Sequence, residues 1–255
     1  MSATLDSLCL DLDHILRHRE MGDYPGAQNG RHLQNSGVIR QLACAVDANL
    51  PVILQASREP STLLIVHHGL AWDGLCPLTG GLYQMIRSAL ESDLAVFSSH
   101  LPLDAHPQFG NNILLTRALG IENHQPALEL FGSPIARLAE ESIPRNELIL
   151  RMANALKILP ESIQCIAAGP EISRRILVCS GSGRSLLEKC ADLKVDTLIT
   201  GEVTHESFSK AHALGLNIIL GGHYATETLG VQAITRHLAD RHGLPWRFVD
   251  VPSGL

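Results

Sequence analysis

Short, continuous apolar runs alternate with amphipathic segments along most of the chain, and that alternation limits the fold more than any other feature. Runs of three to five residues read as strands at Thr62–Val66, Leu94–Ser98, Gln164–Ala168, Arg175–Cys179, Thr197–Thr200, Asn217–Leu220 and Arg247–Val249. Helical patterns fall between them, at Leu82–Leu90, Asn112–Leu119, Arg145–Leu159, Gly183–Leu193, His205–Leu214 and Thr226–Arg241. Strands apolar on both faces, with a helix after each, predict an α/β fold with a mostly parallel, buried sheet. Ahead of them, residues 4–17 predict an amphipathic helix with Leu5, Leu8, Leu12, Ile15 and Leu16 on one face. Residues 18–37, rich in Gly, Asn, His and Pro, read as a long loop. Val38–Val46 reads as a strand, followed by a short helix near Pro51–Ser57.

The pattern also repeats. Residues 62–69 (TLLIVHHG) echo 197–202 (TLITGE), and 96–100 (VFSSH) echo 219–223 (ILGGH). Each pair is a strand that ends in small residues and a polar side chain. A duplicated α/β unit follows, with the junction expected at Leu128–Arg145, where Pro126, Pro134 and Pro144 cluster. One lobe is expected from residues 1–125 plus 220–255 and a second from 126–219.

The 255 residues are enough for one large or two small domains. A net charge of −6 with scattered lysines and arginines argues against a nucleic-acid surface or a polybasic membrane anchor. No apolar stretch approaches the roughly 18 residues of a membrane helix. The first 13 residues carry Asp6, Asp11 and Asp13 and do not read as a secretory signal. Cys9, Cys44, Cys76, Cys165, Cys179 and Cys190 form no C-x-x-C and read as reduced residues of a cytoplasmic protein.

Thirteen histidines are the unusual count, and several follow strands directly. Thr62–Val66 runs into His67, His68 and Gly69; Leu94–Ser98 leads to His100 and Asp104; Asn217–Leu220 leads through two glycines to His223 and Glu227; Thr197–Thr200 leads to Glu202 and His205. The carboxyl ends of strands form the ligand crevice of open α/β sheets, so these groups are placed to converge. His223 and Glu227, four apart, share a face if a helix starts there. Adjacent His67 and His68 point to opposite sides of an extended chain, which suits two neighbouring ions better than one. A histidine–carboxylate set without cysteine suits Zn, Mn, Fe, Co or Ni. Two dications against Asp104 and Glu227 leave positive charge to attract phosphate and to stabilise a hydroxide. A mononuclear site fits the spacing less well.

The stretches 65–72 (IVHHGLAW), 100–112 (HLPLDAHPQFGNN), 199–205 (ITGEVTH) and 222–227 (GHYATE) together resemble the dinuclear metal centre family. That family includes YbgI proteins, Nif-three-like proteins and GTP cyclohydrolase 1 type 2 homologues. The resemblance covers nearly the whole chain. It implies two related, intertwined α/β/α lobes with mixed, mostly parallel sheets, two divalent ions in the cleft between them, and a homohexamer. It implies His67, His68, Asp104, His223 and Glu227 as the ligands, with Glu227 bridging. His100 matches a position that lines the site without holding an ion. His205 falls where members vary and is at most a substrate contact; these two are the candidate catalytic residues. The sequence departs from the family at residues 25–45, where Asn29–Asn35 replaces the usual Asn-Gly-Leu-Gln-Val stretch.

The remaining features keep alternatives. Gly181–Gly183 reads as a tight turn or a phosphate contact, being neither a dinucleotide fingerprint nor a P-loop. Trp72 and Tyr224 pack against the ligands or stack on a substrate. His106 reads as a solvated loop residue, and His14 and His18 as surface residues of the first helix. Two functions compete. One is a metal-dependent hydrolase acting on a nucleotide, phosphoester or cyclic amide. The other is a non-enzymatic hexameric metal-binding scaffold or regulatory module.

Overall fold

A computed structural model describes residues 2–70, 72, 74 and 77–254; Cys76 lies outside them. In chain order the elements are β1 (Ala3–Thr4), α1 (Leu5–Leu16), β2 (Gly30–Leu33), β3 (Val38–Ile39), β4 (Gln41–Asp47), α2 (Leu50–Ala56), β5 (Thr62–His68), α3 (Gly80–Glu91), β6 (Ala95–Ser98), α4 (Leu101–Asp104), α5 (Asn111–Ala118), β7 (His124–Leu130), β8 (Ser133–Pro144) and α6 (Arg145–Leu156). They continue with β9 (Gln164–Ala167), β10 (Ile172–Val178), α7 (Leu187–Asp192), β11 (Thr197–Thr200), α8 (Ser207–Leu214), β12 (Asn217–Leu220), α9 (His223–Thr226), α10 (Thr228–His242) and β13 (Trp246–Phe248). The chain divides into two compact units, Met1–Leu103 with Gly230–Val251, and Asp104–Leu229 with Pro252–Leu255.

The first unit is built on a five-stranded sheet in the order β13-β4-β5-β6-β2. β13, β4, β5 and β6 are parallel, and β2 closes the edge antiparallel to β6. Leu63, Leu64, Ile65 and Val66 are fully buried, as their unbroken apolar run requires. α2 starts where Asn49 Oδ1 accepts the Val52 amide at 3.0 Å, with Pro51 in its first turn. Its Val52 and Ile53 join Met85 and Ala89 of α3 over Ala43, Leu64 and Val96 of the sheet. Each such fully buried aliphatic side chain contributes about 1.5–3 kcal/mol.

Two expectations change here. The loop at 18–37 contains β2, whose Gly-Arg-His-Leu sequence lacks β-branched residues and carries no strand signal. The strand expected at Val38–Val46 is broken at Arg40, whose amide turns to the Ser61 carbonyl at 2.9 Å. β3 therefore pairs with β1 while β4 enters the main sheet.

The second unit has six strands in the order β7-β8-β10-β11-β12-β9. β10, β11 and β12 are parallel; the flanking β8 and β9 are antiparallel to them, as β7 is to β8. The expected junction at Leu128–Arg145 is instead the β7–β8 hairpin. Phe131 and Gly132 turn it with φ of 50° and 80°, the left-handed pair of a two-residue hairpin turn. Proline was the misleading signal. Pro126 lies on an edge strand, which tolerates a missing N–H, and Pro144 ends β8 just before α6.

Mixed sheets with helices between strands make this an α/β fold, and the two sheets share an order. In each, a parallel trio (β4-β5-β6 or β10-β11-β12) carries an antiparallel edge strand beside its third member. The sequence echo falls on β5 and β11, both central in their trios, and on β6 and β12, both third. Among the described residues no helix is long and apolar enough to cross a membrane.

Asn217, fully buried at the start of β12, ties the amino ends of the second unit's strands together. Its Oδ1 accepts from the Gly169 amide at 3.0 Å and from Arg145 at 3.2 Å, and its Nδ2 donates to the Pro170 carbonyl at 2.7 Å. Asn217→Ala removes all three bonds to these half-buried and exposed partners. It is expected to cost about 3 kcal/mol, or roughly 6–12 °C in Tm. An unchanged melting curve by calorimetry would refute this account of the strand ends.

Candidate metal centre

Both parallel trios present imidazoles at their carboxyl ends, and each ring is held through Nδ1. In the first unit, β5 ends in His67 and His68. The buried His67 places Nδ1 2.9 Å from the Ser99 carbonyl oxygen. A carbonyl only accepts, so Nδ1 carries the proton and Nε2 the lone pair. His68 Nδ1 lies 2.8 Å from Asp47 Oδ1 at the end of β4, and His100 Nδ1 lies 2.9 Å from Asp23 Oδ1. The rings of His67 and His68 are 4.7 Å apart, and His100 stands 5.0 and 5.6 Å from them. One nitrogen from each of the three rings lies within 4.8 Å of the others. The expectation that adjacent histidines face apart is therefore corrected. His68 is the last residue of β5.

The 18–37 loop supports these rings. The Asp23 carboxylate accepts from the Tyr24 amide at 2.7 Å, Asn29 Nδ2 at 2.9 Å and the Leu101 amide at 3.0 Å, besides His100. Burial pushes its pKa up, but these donors outweigh burial and hold it below the usual carboxylate value. His32 accepts the Leu70 amide on Nδ1 at 3.0 Å and donates from Nε2 to the Gln28 carbonyl at 2.5 Å. It packs so closely on Gly69 that a Cβ there would overlap its ring. Trp72 meets His100 and His68 edge-on, with centroids 4.8 and 5.8 Å away, while remaining 40% exposed.

His18 is not the surface residue expected. Arg17 ends α1 in a left-handed conformation (φ 55°), and the turn takes His18 off the face of His14. Its ring stacks on Phe97 at 5.5 Å, with Nδ1 at 2.9 Å from Asp13 and Nε2 at 2.9 Å from Ser99 Oγ. Ser99 thus connects His18 to His67. His106, by contrast, caps its own loop, accepting the Gln108 and Phe109 amides at 3.1 and 3.0 Å.

In the second unit, Asp104 is nearly buried, and its Oδ1 accepts Asn111 Nδ2 at 2.8 Å. Asn112 holds the same corner, donating to the Asp104 carbonyl and accepting the Ser180 amide at 2.7 Å. Gly222 (φ 91°) turns the chain from β12 into the single turn α9, which starts with His223. His223 Nδ1 lies 3.0 Å from Glu202 Oε1, and its Nε2 lies 3.2 Å from Oε1 of the buried Glu227. The Glu227 carboxylate drives the His223 pKa up to about 9 against the opposing effect of burial, and Glu202 adds to the rise. Buried Cys179, just below, has its thiol pushed far above the ordinary range by burial and then by the Asp104 and Glu227 charges.

Gly181 forms the floor under His223 and Glu227. Its φ is +61°, and a Cβ there would overlap Glu227 Oε1 and lie 3.4 Å from His223 Nε2. Its amide donates to Thr226 Oγ1 at 3.0 Å, and its carbonyl accepts the Gly201 and Glu202 amides. Gly183 leads into a 3-10 turn at Arg184–Leu186 rather than straight into α7. Tyr224 is buried, and exposed His205 lines a cavity of about 570 Å³ with Cys165 and Phe208. Among the described residues, His205 joins no group of metal-ligating side chains.

These residues fit a divalent ion. The donors are imidazoles and carboxylates, and the rings have Nδ1 tied to acceptors so that Nε2 is the nitrogen offered. At His223 the Nε2–Glu227 contact favours a proton on the ring, and a cation would compete with that proton for the same two atoms. Asp23, Asp47 and Ser99 escaped the sequence reading, which places His18 on the surface. Of these only Asp47 carried a usable signal, as a carboxylate that ends an apolar strand.

The class so defined is a mixed α/β protein with groups of histidine and carboxylate side chains that could hold a metal ion. Within that class the chain belongs to the Duf34/NIF3 (NGG1p interacting factor 3) family, whose model matches residues 14–252. It is 37% identical over 253 residues to a Deinococcus radiodurans protein named GTP cyclohydrolase 1 type 2 homolog, covering 98% of this chain and 94% of that one. A Pyrococcus horikoshii protein of the same name is 36% identical over 251 residues, with 98% and 99% covered. Among solved structures, TTHA1606 from Thermus thermophilus superposes with a TM-score of 0.88 at 32% identity, covering 99% of this chain and all of that one. The protein ybgI, described as of unknown function, gives 0.89 at 29% identity, again with 99% and 100% covered.

Proposed function

We propose that this chain is a metal-dependent hydrolase holding two divalent ions on His67, His68, Asp104, His223 and Glu227, with Glu227 bridging. The ions are drawn from Zn, Mn, Fe, Co and Ni, because the donors are imidazole nitrogen and carboxylate oxygen without thiolate. The substrate is a small molecule: a nucleotide, a phosphoester or a cyclic amide. The relatives' name points toward the nucleotide. The same reading places the chain in the cytoplasm as a homohexamer, without nucleic-acid or membrane partners.

One observation carries the proposal. Within each unit the imidazoles are oriented by hydrogen bonds on Nδ1, from Ser99 and Asp47 in the first and Glu202 in the second. Such outer partners fix the tautomer and raise the basicity of a metal-binding ring. Paired divalent ions supply Lewis acidity and activate water for attack. The chain's own part is to fix the ligands, through Asn111 on Asp104 and Gly181 beneath Glu227, and to keep Glu227 away from bulk water.

The test is metal quantification on protein purified without added metal, followed by a substrate screen on the same sample. About two ions per chain and metal-dependent turnover are expected. Asp104→Ala should stay folded by circular dichroism and lose at least about 100-fold in that turnover. Two ions with no nucleotide, phosphoester or cyclic amide consumed would replace the hydrolase by the scaffold or regulatory module.

A further inference from the structure

We infer that Arg117, Arg137 and His124 form a binding site for a phosphate group in the second unit, taken as inorganic phosphate or on a small phosphomonoester. None of the three is among the residues proposed to hold ions, so the inference stands or falls apart from that proposal.

Three elements bring these side chains together. β8 carries Arg137 two residues before Ala139, and alternate residues of a strand share a face. Ala139 packs in one cluster with Leu115 and Leu119 at α5, so α5 lies on the face that Arg137 occupies. Arg117 stands between those leucines along α5 and is exposed. His124 opens β7 directly opposite Ala139. Arg137 Nη2 and Nε lie 2.8 and 3.2 Å from His124 Nδ1. A guanidinium only donates, so Nδ1 accepts and the ring is neutral, with its proton on Nε2.

Charge without compensation is what marks the place. Half-buried Arg137 gives its N–H groups to a neutral ring, and burial, then the charge of Arg117, pulls its pKa down. Burial and then the same two arginines lower the pKa of His124, against a smaller opposing effect of Glu141. The Glu141 carboxylate is already engaged, accepting the Glu122 and Asn123 amides at 2.9 and 2.8 Å. Among the described residues neither Arg117 nor Arg137 has a carboxylate within ion-pair distance, whereas Arg151 and Arg175 of the same unit pair with Glu147 and Glu140. Like charges held together repel, and an uncharged side chain would fill either position without that cost. An anion between them turns the repulsion into attraction. A phosphate group carries close to two negative charges and matches two guanidinium groups, where a carboxylate would leave one unbalanced. His124 fixes one edge of the Arg137 fork and leaves its other N–H groups for the ligand. The chain's net charge of −6 disfavours a nucleic-acid backbone as the source of that phosphate.

Isothermal titration of the full chain with inorganic phosphate, and separately with ribose 5-phosphate, tests the assignment. Chelator-treated protein is used so that phosphate cannot bind on a held ion, and chloride keeps the ionic strength constant. About one phosphate group per chain should bind, and Arg117→Gln and Arg137→Gln should each weaken it about tenfold or more. Arg58→Gln, which removes an exposed arginine of the first unit, should leave the affinity unchanged. Circular dichroism checks folding, and the exposed Arg117 supplies the decisive variant should Arg137→Gln fail that check. Arg117→Gln should also leave the Tm of the phosphate-free chain unchanged or raised, while abolishing the rise that phosphate produces. A purely structural arginine would lower the first and leave the second. Binding of ribose 5-phosphate without inorganic phosphate supports the site and assigns it to a carried phosphate group. Binding of neither overturns it. So does affinity that is unchanged in folded Arg117→Gln, or that falls equally in Arg58→Gln, since only the chain's overall charge would then be at work.

Discussion

Replacing Gly181 with alanine is expected to lower stability by about 3 kcal/mol and to abolish ion binding at His223 and Glu227. Two separate effects add. The backbone at 181 has φ +61°, which costs an L-residue with a side chain about 1–2 kcal/mol. The added methyl must also displace the Glu227 carboxylate, which is buried and has nowhere to move without breaking its 3.2 Å contact with His223. Overpacking of that kind costs about 1–3 kcal/mol. Gly132 separates the two effects. It has φ +80° in the β7–β8 turn, and a Cβ there meets nothing within 4 Å. Gly132→Ala should lose only the backbone contribution and should bind metal normally. Calorimetry and isothermal titration on both variants provide the comparison. If the two variants melt together and bind the same number of ions, the floor assigned to Gly181 is wrong.

That contrast shows what the sequence could and could not convey. The central strands were legible because a strand buried on both faces has an apolar middle, as Leu63–Val66 of β5, Leu198 and Ile199 of β11 and Ile218 and Ile219 of β12 show. The strand ends were legible for the same reason: a polar side chain that interrupts such a run marks where the sheet meets solvent or ligand. His67, His68 and His223 stood out in this way, and Glu227 by its spacing of four from His223. The hairpin at 124–144 did not, because three prolines imitate a linker and only the edge position of β7 makes Pro126 tolerable. The ring-orienting carboxylates Asp23 and Asp47 were hidden for a different reason. A hydrogen bond between residue 23 and residue 100 depends on tertiary contact, and neither local propensity nor spacing records it. His18 illustrates the same limit, since a single left-handed residue at Arg17 turned a surface pattern inward. Gly181 was read for its turn, while its second role depends on Glu227, 46 positions away along the chain.

The metal-free protein should lose stability as pH rises from about 6.5 through about 9, and affinity for the ion on His223 and Glu227 should climb across the same window. Glu227, and then Glu202, raise the His223 pKa from its ordinary 6.5 to about 9 in the folded chain. The folded state therefore binds this proton more tightly than the unfolded state does. The resulting stability is fully present below pH 6.5 and is gone once pH passes the folded value. His223 is partly solvated, and with screening its contribution is about 2 kcal/mol. A metal ion needs the same Nε2 deprotonated, so binding must expel that proton below pH 9. Apparent affinity should then rise about tenfold per pH unit between 7 and 9 and level off above, with about one proton released per ion. Melting curves of chelator-treated protein from pH 6 to 10 test the first half. Titrations in two buffers of different ionisation enthalpy test the second. His223→Gln should flatten both profiles over that range. A stability maximum above pH 9 in the metal-free chain, or ion uptake without proton release at pH 7.5, would mean that His223 and Glu227 do not share a proton in the resting protein.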